Sequence, residues 1–212
     1  MWSELSLPWQ AALEESWVAF CAGSVPIGAV ITDAAGAILA RGRSHRYDDQ
    51  ELSPGQIGLH PLGHAELNAL LVLPKTVDPH SCTLYTVFEP CPLCLGAIYM
   101  AGIRRFCYAS RDPYAGSANL LGASWYLSYK PVQAEGPFNE KLENLLLGWQ
   151  VTFFAGRDGD RFFSSPVYAR WEESIPRGAA FGRRLHQSGL IERFHTERWK
   201  IARVVNELAR QV

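Results

Sequence analysis

At 212 residues and 48% apolar content, the chain has material for one large domain, or one domain with an appendage, around a sizeable core. A formal net charge of −1 excludes whole-protein attraction to nucleic acid, although residues 1–156 carry a net −5 and residues 157–212 a net +4. Five cysteines do not make a disulfide framework. With no apolar run of 18 residues and no basic-apolar-small leader, the expectation is a cytoplasmic protein with no membrane partner.

In chain order, Leu7 to Cys21 places Leu13, Trp17, Val18 and Phe20 at helical spacing. Val25 to Thr32, the turn residues Asp33 to Gly36, and Ala37 to Arg41 predict a β-hairpin. His45 to Leu62 is polar, contains Pro and Gly and has no period; loops of that length are lids or mobile segments. His64 to Leu73 reads as a helix ended by Pro74, with Leu67, Leu70 and Leu71 inward and Asn68 facing either the site or solvent. Cys82 to Phe88 is a buried strand, Pro92 to Ala101 a helix, and Arg104 to Ala109 a strand parallel to the previous one, because a helix crosses between them. Leu127 to Val132 reads as a last strand. Asn139 to Leu147 is a helix capped by Asn139, and the pattern after Ser165 is again helical. Phe162, Phe163, Trp171 and Trp199 need packing partners there.

Two short motifs carry the chemistry. His64-Ala65-Glu66 is followed, 24 residues on, by Cys91-Pro92-Leu93-Cys94. One imidazole and two thiolates supply three corners of a zinc tetrahedron, and a catalytic site leaves the fourth to water. Pro90 and Pro92 flank Cys91 ahead of a good helix sequence, so both cysteines fall at a helix N-terminus, whose positive end favours thiolates. Cys82 and Cys107 lie in strand-like runs and read as buried small hydrophobes; His45, His60 and His80 read as non-ligands. Glu66, two positions after His64, does not share its ligand direction on a helix and is placed to carry a proton at the metal.

The order His-x-Glu, then Pro-Cys-x-x-Cys, is the signature of zinc nucleobase deaminases. On these residues, and on Val25 to Val30, Gly63 to Glu66, Thr83 to Tyr85, Glu89 to Cys94, Gly96 to Ile98 and Arg111-Asp112, the sequence resembles the cytidine deaminase-like superfamily over about Pro8 to Pro131. Among its branches it is most similar to bacterial tRNA-specific adenosine deaminases and guanine deaminases. The resemblance implies a three-layer α/β/α sandwich with a mixed sheet of about five strands, a C-terminal helical extension and a homodimer. It implies a deaminase domain at 1–156 and an extension at 157–212 that caps the pocket or forms an interface. It further implies Zn2+ held by His64, Cys91 and Cys94, catalysis by Glu66, and substrate contacts from Ile27, Ser44, Ala65, Pro90, Asp112 and Tyr114. Ser44 stands where the family carries an asparagine, and Tyr114 where the tRNA enzymes carry a lysine.

The expected activity is hydrolytic deamination of a nucleobase, nucleoside or similar amino-substituted heterocycle. A small-molecule substrate is favoured over tRNA, because no basic footprint surrounds the motif. The alternatives are a tRNA adenosine deaminase and a catalytically inactive, zinc-stabilised binding module.

Overall fold

A computed structural model describes all residues 1–212. Five strands form one sheet in the order β2-β1-β3-β4-β5: β1 (Gly28–Thr32), β2 (Ile38–Arg43), β3 (Thr83–Phe88), β4 (Arg105–Ser110) and β5 (Gln133–Glu135). β1 runs antiparallel to both β2 and β3, whereas β3, β4 and β5 are parallel. The predicted hairpin and the parallel pair β3–β4 are both present, the latter joined through α3 (Pro92–Ala101).

Alternation along each strand divides the interior into two cores. On β1, Val30 joins a large cluster under α1 (Leu7–Cys21) and α5 (Glu140–Asp158). Ala29 and Ile31 face the other way, onto α2 (Ala65–Leu71) and α3, with Leu84, Ile98 and Phe106. The result is an α/β/α sandwich. No helix is long and apolar enough to cross a membrane.

The inward face of α2 differs from the expected leucine stripe. Ala65, Glu66, Asn68 and Ala69 are its buried residues, and Leu71 is 44% exposed. The cause is the close approach of β2: a Cβ on Gly42 would run into the backbone of Ala65 and Ala69, so only small side chains fit between helix and sheet. The strand expected at Leu127 to Val132 is instead α4 (Trp125–Tyr129) followed by β5. Ser124 accepts a hydrogen bond from the Leu127 N–H and caps a helix there, while Pro131 has no N–H for a sheet ladder. Asn139 caps α5 as expected, accepting from the Leu142 N–H at 2.8 Å.

The helices α6 (Pro166–Ser174), α7 (Pro176–Ser188), α8 (Leu190–Thr196) and α9 (Ile201–Leu208) thicken the α1 side of the sandwich. The division at residue 156 falls within α5, and Leu145, Trp149 and Val151 of α5 share one core with Phe181, Leu185 and Val205. Phe162 and Trp171 are buried in it, and Phe163 and Trp199 pack against it.

Candidate active site

His64 is the N-cap of α2, and Cys91 the N-cap of α3 with Pro92 at the first helical position. Both caps have extended backbone, and the two helices pack side by side, so their N-termini converge. His64 Nδ1 lies 3.5 Å from Cys91 Sγ and 3.4 Å from Cys94 Sγ, and the two sulfurs are 3.7 Å apart. Tetrahedral zinc with bonds near ~2.3 Å to sulfur and ~2.0 Å to nitrogen demands edges of about 3.8 Å between sulfurs and about 3.5 Å between sulfur and nitrogen. The triangle fits the ion. These three are the residues whose donor atoms gather as a potential metal cluster; Cys21, Cys82 and Cys107 stand apart.

Hydrogen bonds from Cys94 and from His64 bring the Cys91 thiol down to about 4. The Cys94 thiol is raised, by its bond to Cys91 and by burial. His64 is raised, chiefly by its bond to Cys91. A thiolate already present lowers the proton release needed on metal binding.

Glu66 is buried beside this triangle. Oε1 accepts from Thr86 Oγ1 at 3.0 Å, and Oε2 lies 3.3 Å from Cys94 Sγ. Burial pushes its carboxyl above the ordinary range. A cavity of about 360 Å³ opens on His64, Glu66 and Cys91. Ile27, Asp112 and Tyr114 line it.

The structure does not bring Ser44, Ala65 or Pro90 to that lining. The Ser44 hydroxyl lies 3.4 Å from Ser24 Oγ, and its N–H bonds the Ile27 carbonyl. Ala65 is pressed against Gly42. The Pro90 carbonyl is occupied by the N–H and hydroxyl of Ser117. From the chain after β2, Arg46 and Tyr47 reach the cavity instead.

The segment 45–62 is tied down rather than free. Asp48 accepts from Arg43 through both carboxylate oxygens, at 2.9 and 3.1 Å, and from His45 Nδ1 at 3.1 Å. Asn68 settles its two readings by bonding the Arg43 carbonyl and both the N–H and C=O of Ile57. His60 and His80 stay outside the metal triangle. His45 does too, and burial with the neighbouring Arg43 lowers its pKa.

Sequence reasoning offered a cap from 157–212 as one of two roles but assigned no particular residue to the roof. Gln150, Phe154, Asp158, Phe162, Val167 and Trp171 close the cavity from α5, α6 and the turn between them. Trp171 Nε1 donates to Asp112 Oδ1 at 3.1 Å, tying the roof to the loop after β4. Burial raises the Asp112 carboxyl, against the lowering effect of that bond. The available signal was the unpartnered aromatic content of residues 149–171.

Residues 4–110 match the family described as the cytidine and deoxycytidylate deaminase zinc-binding region, and the chain belongs to that family. It is 37% identical over 111 residues to a tRNA(Ile)-lysidine synthase of Deinococcus radiodurans, a match covering 48% of this chain and 17% of that protein. It is 36% identical over 98 residues to a guanine deaminase of Bacillus subtilis, covering 45% of this chain and 56% of that one. The chain thus spans less than a fifth of the first relative and just over half of the second. A solved guanine deaminase from Nitrosomonas europaea shares the fold, with TM-score 0.54 and 21% identity over 71% of this chain and 86% of that one.

Proposed function

We propose that the protein is a zinc-dependent hydrolytic deaminase of a small amino-substituted nitrogen heterocycle, a free base or nucleoside. The observation that carries this reading is the buried Glu66 carboxylate set against a zinc-sized triangle of His64, Cys91 and Cys94 at one wall of a roofed cavity.

In this reading His64, Cys91 and Cys94 would hold zinc, which would supply Lewis acidity and bring the ionisation of water towards neutral pH. Glu66 takes a proton from the attacking water and delivers it to the ring nitrogen beside the reacting carbon. It then passes the second proton to the departing amine. The water oxygen remains on the ring carbon, the carbon–nitrogen bond breaks, and ammonia leaves. Thr86, donating to Glu66 Oε1, keeps the other oxygen directed at the metal side. Asp112 holds the substrate from the loop after β4, and the aromatic roof excludes bulk water.

The roof supports a small substrate. Residues of the C-terminal extension cover the cavity that a polynucleotide strand would have to enter, and acidic side chains outnumber Arg46 on the lining. We assign the 157–212 extension the role of cap. A panel of bases, nucleosides and one anticodon stem-loop, scored for ammonia release, tests the assignment. Glu66→Ala is expected to retain about one zinc per chain and release no ammonia. Wild-type ammonia release by that variant on a confirmed substrate would refute the role of Glu66. Deamination of the stem-loop alone, weakening steeply with salt, would refute the small-molecule class.

A further inference from the structure

Gln150 lies in the middle of α5, is 2% exposed, and yet lines the cavity. Its Nε2 donates to the Pro26 carbonyl at 3.2 Å, which also accepts from Ser16 Oγ at 2.7 Å. A carbonyl oxygen only accepts, so the nitrogen end of the amide must face Pro26 and the oxygen is turned away from it. That oxygen receives no hydrogen bond from the protein. It is also absent from the enclosed polar atoms that lack a partner, which places it open to the cavity.

Asp112 offers a second spare acceptor. Its Oδ1 takes the N–H groups of Tyr114, Ala115 and Trp171, and Oδ2 takes none. Both residues line one cavity, from α5 and from the loop after β4, and each carries an acceptor that takes no donor from the protein. A buried neutral amide oxygen gains from a ligand N–H and loses when an apolar group is set against it.

Resting on the deaminase reading above, we propose that Gln150 determines specificity: its amide oxygen accepts a hydrogen bond from an N–H of the heterocycle other than the amine that is lost. The ligand class is an aminated ring with a second donor, either a ring N–H or a second exocyclic amine. Rings lacking that donor leave the Gln150 oxygen unpaired and bind more weakly.

Calorimetry on zinc-loaded Glu66→Ala protein, which does not consume its ligand, reads this apart from catalysis. The probes are cytosine against 1-methylcytosine and 2,6-diamino-9-methylpurine against 9-methyladenine. In at least one pair the donor-bearing member is expected to bind about tenfold tighter or better, as for a site built to receive a hydrogen bond. Adding Gln150→Met should shrink that ratio to about threefold or less, with zinc content unchanged. An unchanged ratio in the double variant, or no discrimination by the parent in either pair, overturns the proposal. Should Gln150→Met fail to fold, a crystal of the parent with the tighter ligand decides: a ligand N–H within hydrogen-bond distance of Gln150 Oε1 sustains the assignment, and any other partner for that N–H overturns it. Absence of ammonia release from wild-type protein on every compound would instead overturn the deaminase reading and leave these affinities to be judged alone.

Discussion

Replacing Trp171 by Phe separates the roof's chemical contribution from its bulk. Trp171 is 4% exposed and packs with Phe88, Phe154 and Phe162 at ring separations of 6.3, 6.0 and 5.9 Å. Phe keeps one ring of that packing and leaves a partial void, a change of about 1–2 kcal/mol by comparison with other large-to-small core substitutions. It also deletes the Nε1–H bond to Asp112 Oδ1, which retains the Tyr114 and Ala115 donors at 3.0 and 3.2 Å. Because that oxygen is not orphaned, the loss sits at about 1 kcal/mol, the usual net contribution of a protein hydrogen bond. On the proposed function, KM should rise about fivefold with kcat little changed, since 1.4 kcal/mol corresponds to roughly tenfold.

The same bond is one of the influences lowering the Asp112 pKa against burial. Without it the carboxyl titrates at higher pH, and the acid limb of kcat/KM should move upward. The thermal midpoint should fall by about 4–8 °C for a combined loss near 2 kcal/mol in a chain of this size. The assays are steady-state ammonia release across pH and a melting curve. A variant that melts lower but keeps both its KM and its acid limb would show that Trp171 only fills space, and the link from roof to Asp112 would be refuted.

Other perturbations read other parts of the structure. Asn68→Leu removes three hydrogen bonds to Arg43 and Ile57, so a loss of about 3 kcal/mol is expected, together with proteolytic cutting within 45–62; resistance equal to wild type would contradict it. In metal-free protein the Cys91 thiol, at about 4, should be alkylated by iodoacetamide at about pH 6 while the other four cysteines stay largely unmodified, and zinc should protect it; mass spectrometry showing uniform labelling would refute this. His45 is buried with its pKa lowered from 6.5, so its contribution to stability is complete above that value and is lost as pH falls towards the lower folded value. Denaturant melts of wild type and His45→Gln should therefore diverge in slope below about pH 6.5, and parallel slopes would exclude His45 as the cause.

The zinc triangle and Glu66 were legible because the signal that marks them is local in sequence. His64 and Cys91 each cap a helix, with Pro92 opening the second, so the motif itself sets the local direction of each ligand before the packing of α2 on α3 brings them together. The hairpin, β3, α3 and β4 were legible for the same reason, since period and breakers lie within each segment. Misreadings arose where a neighbour decided the matter. The leucines of α2 lost the inward face because Gly42 brings β2 so close that only Ala65 and Ala69 fit. The apolar run at 127–132 lost its strand because the Ser124 cap acts before β-propensity does.

Part of the cavity lining belongs to that second kind. Ser44 was assigned to the pocket by its position in a motif, but a side chain's direction after β2 depends on what it meets, and Ser44 meets Ser24. Gln150 and Trp171 carry no motif at all. They reach the cavity only because α5 and α6 pack across the α1 side of the sheet, through contacts spanning more than a hundred residues, such as that from Gln150 to Pro26. A reaction that needs one metal and one carboxylate can be specified by a few adjacent residues. Choice among ring substituents needs donors and acceptors on opposite walls, and opposite walls come from distant parts of the chain. On the proposed function, selectivity should therefore change with substitutions in α5 and α6 that leave the zinc ligands untouched.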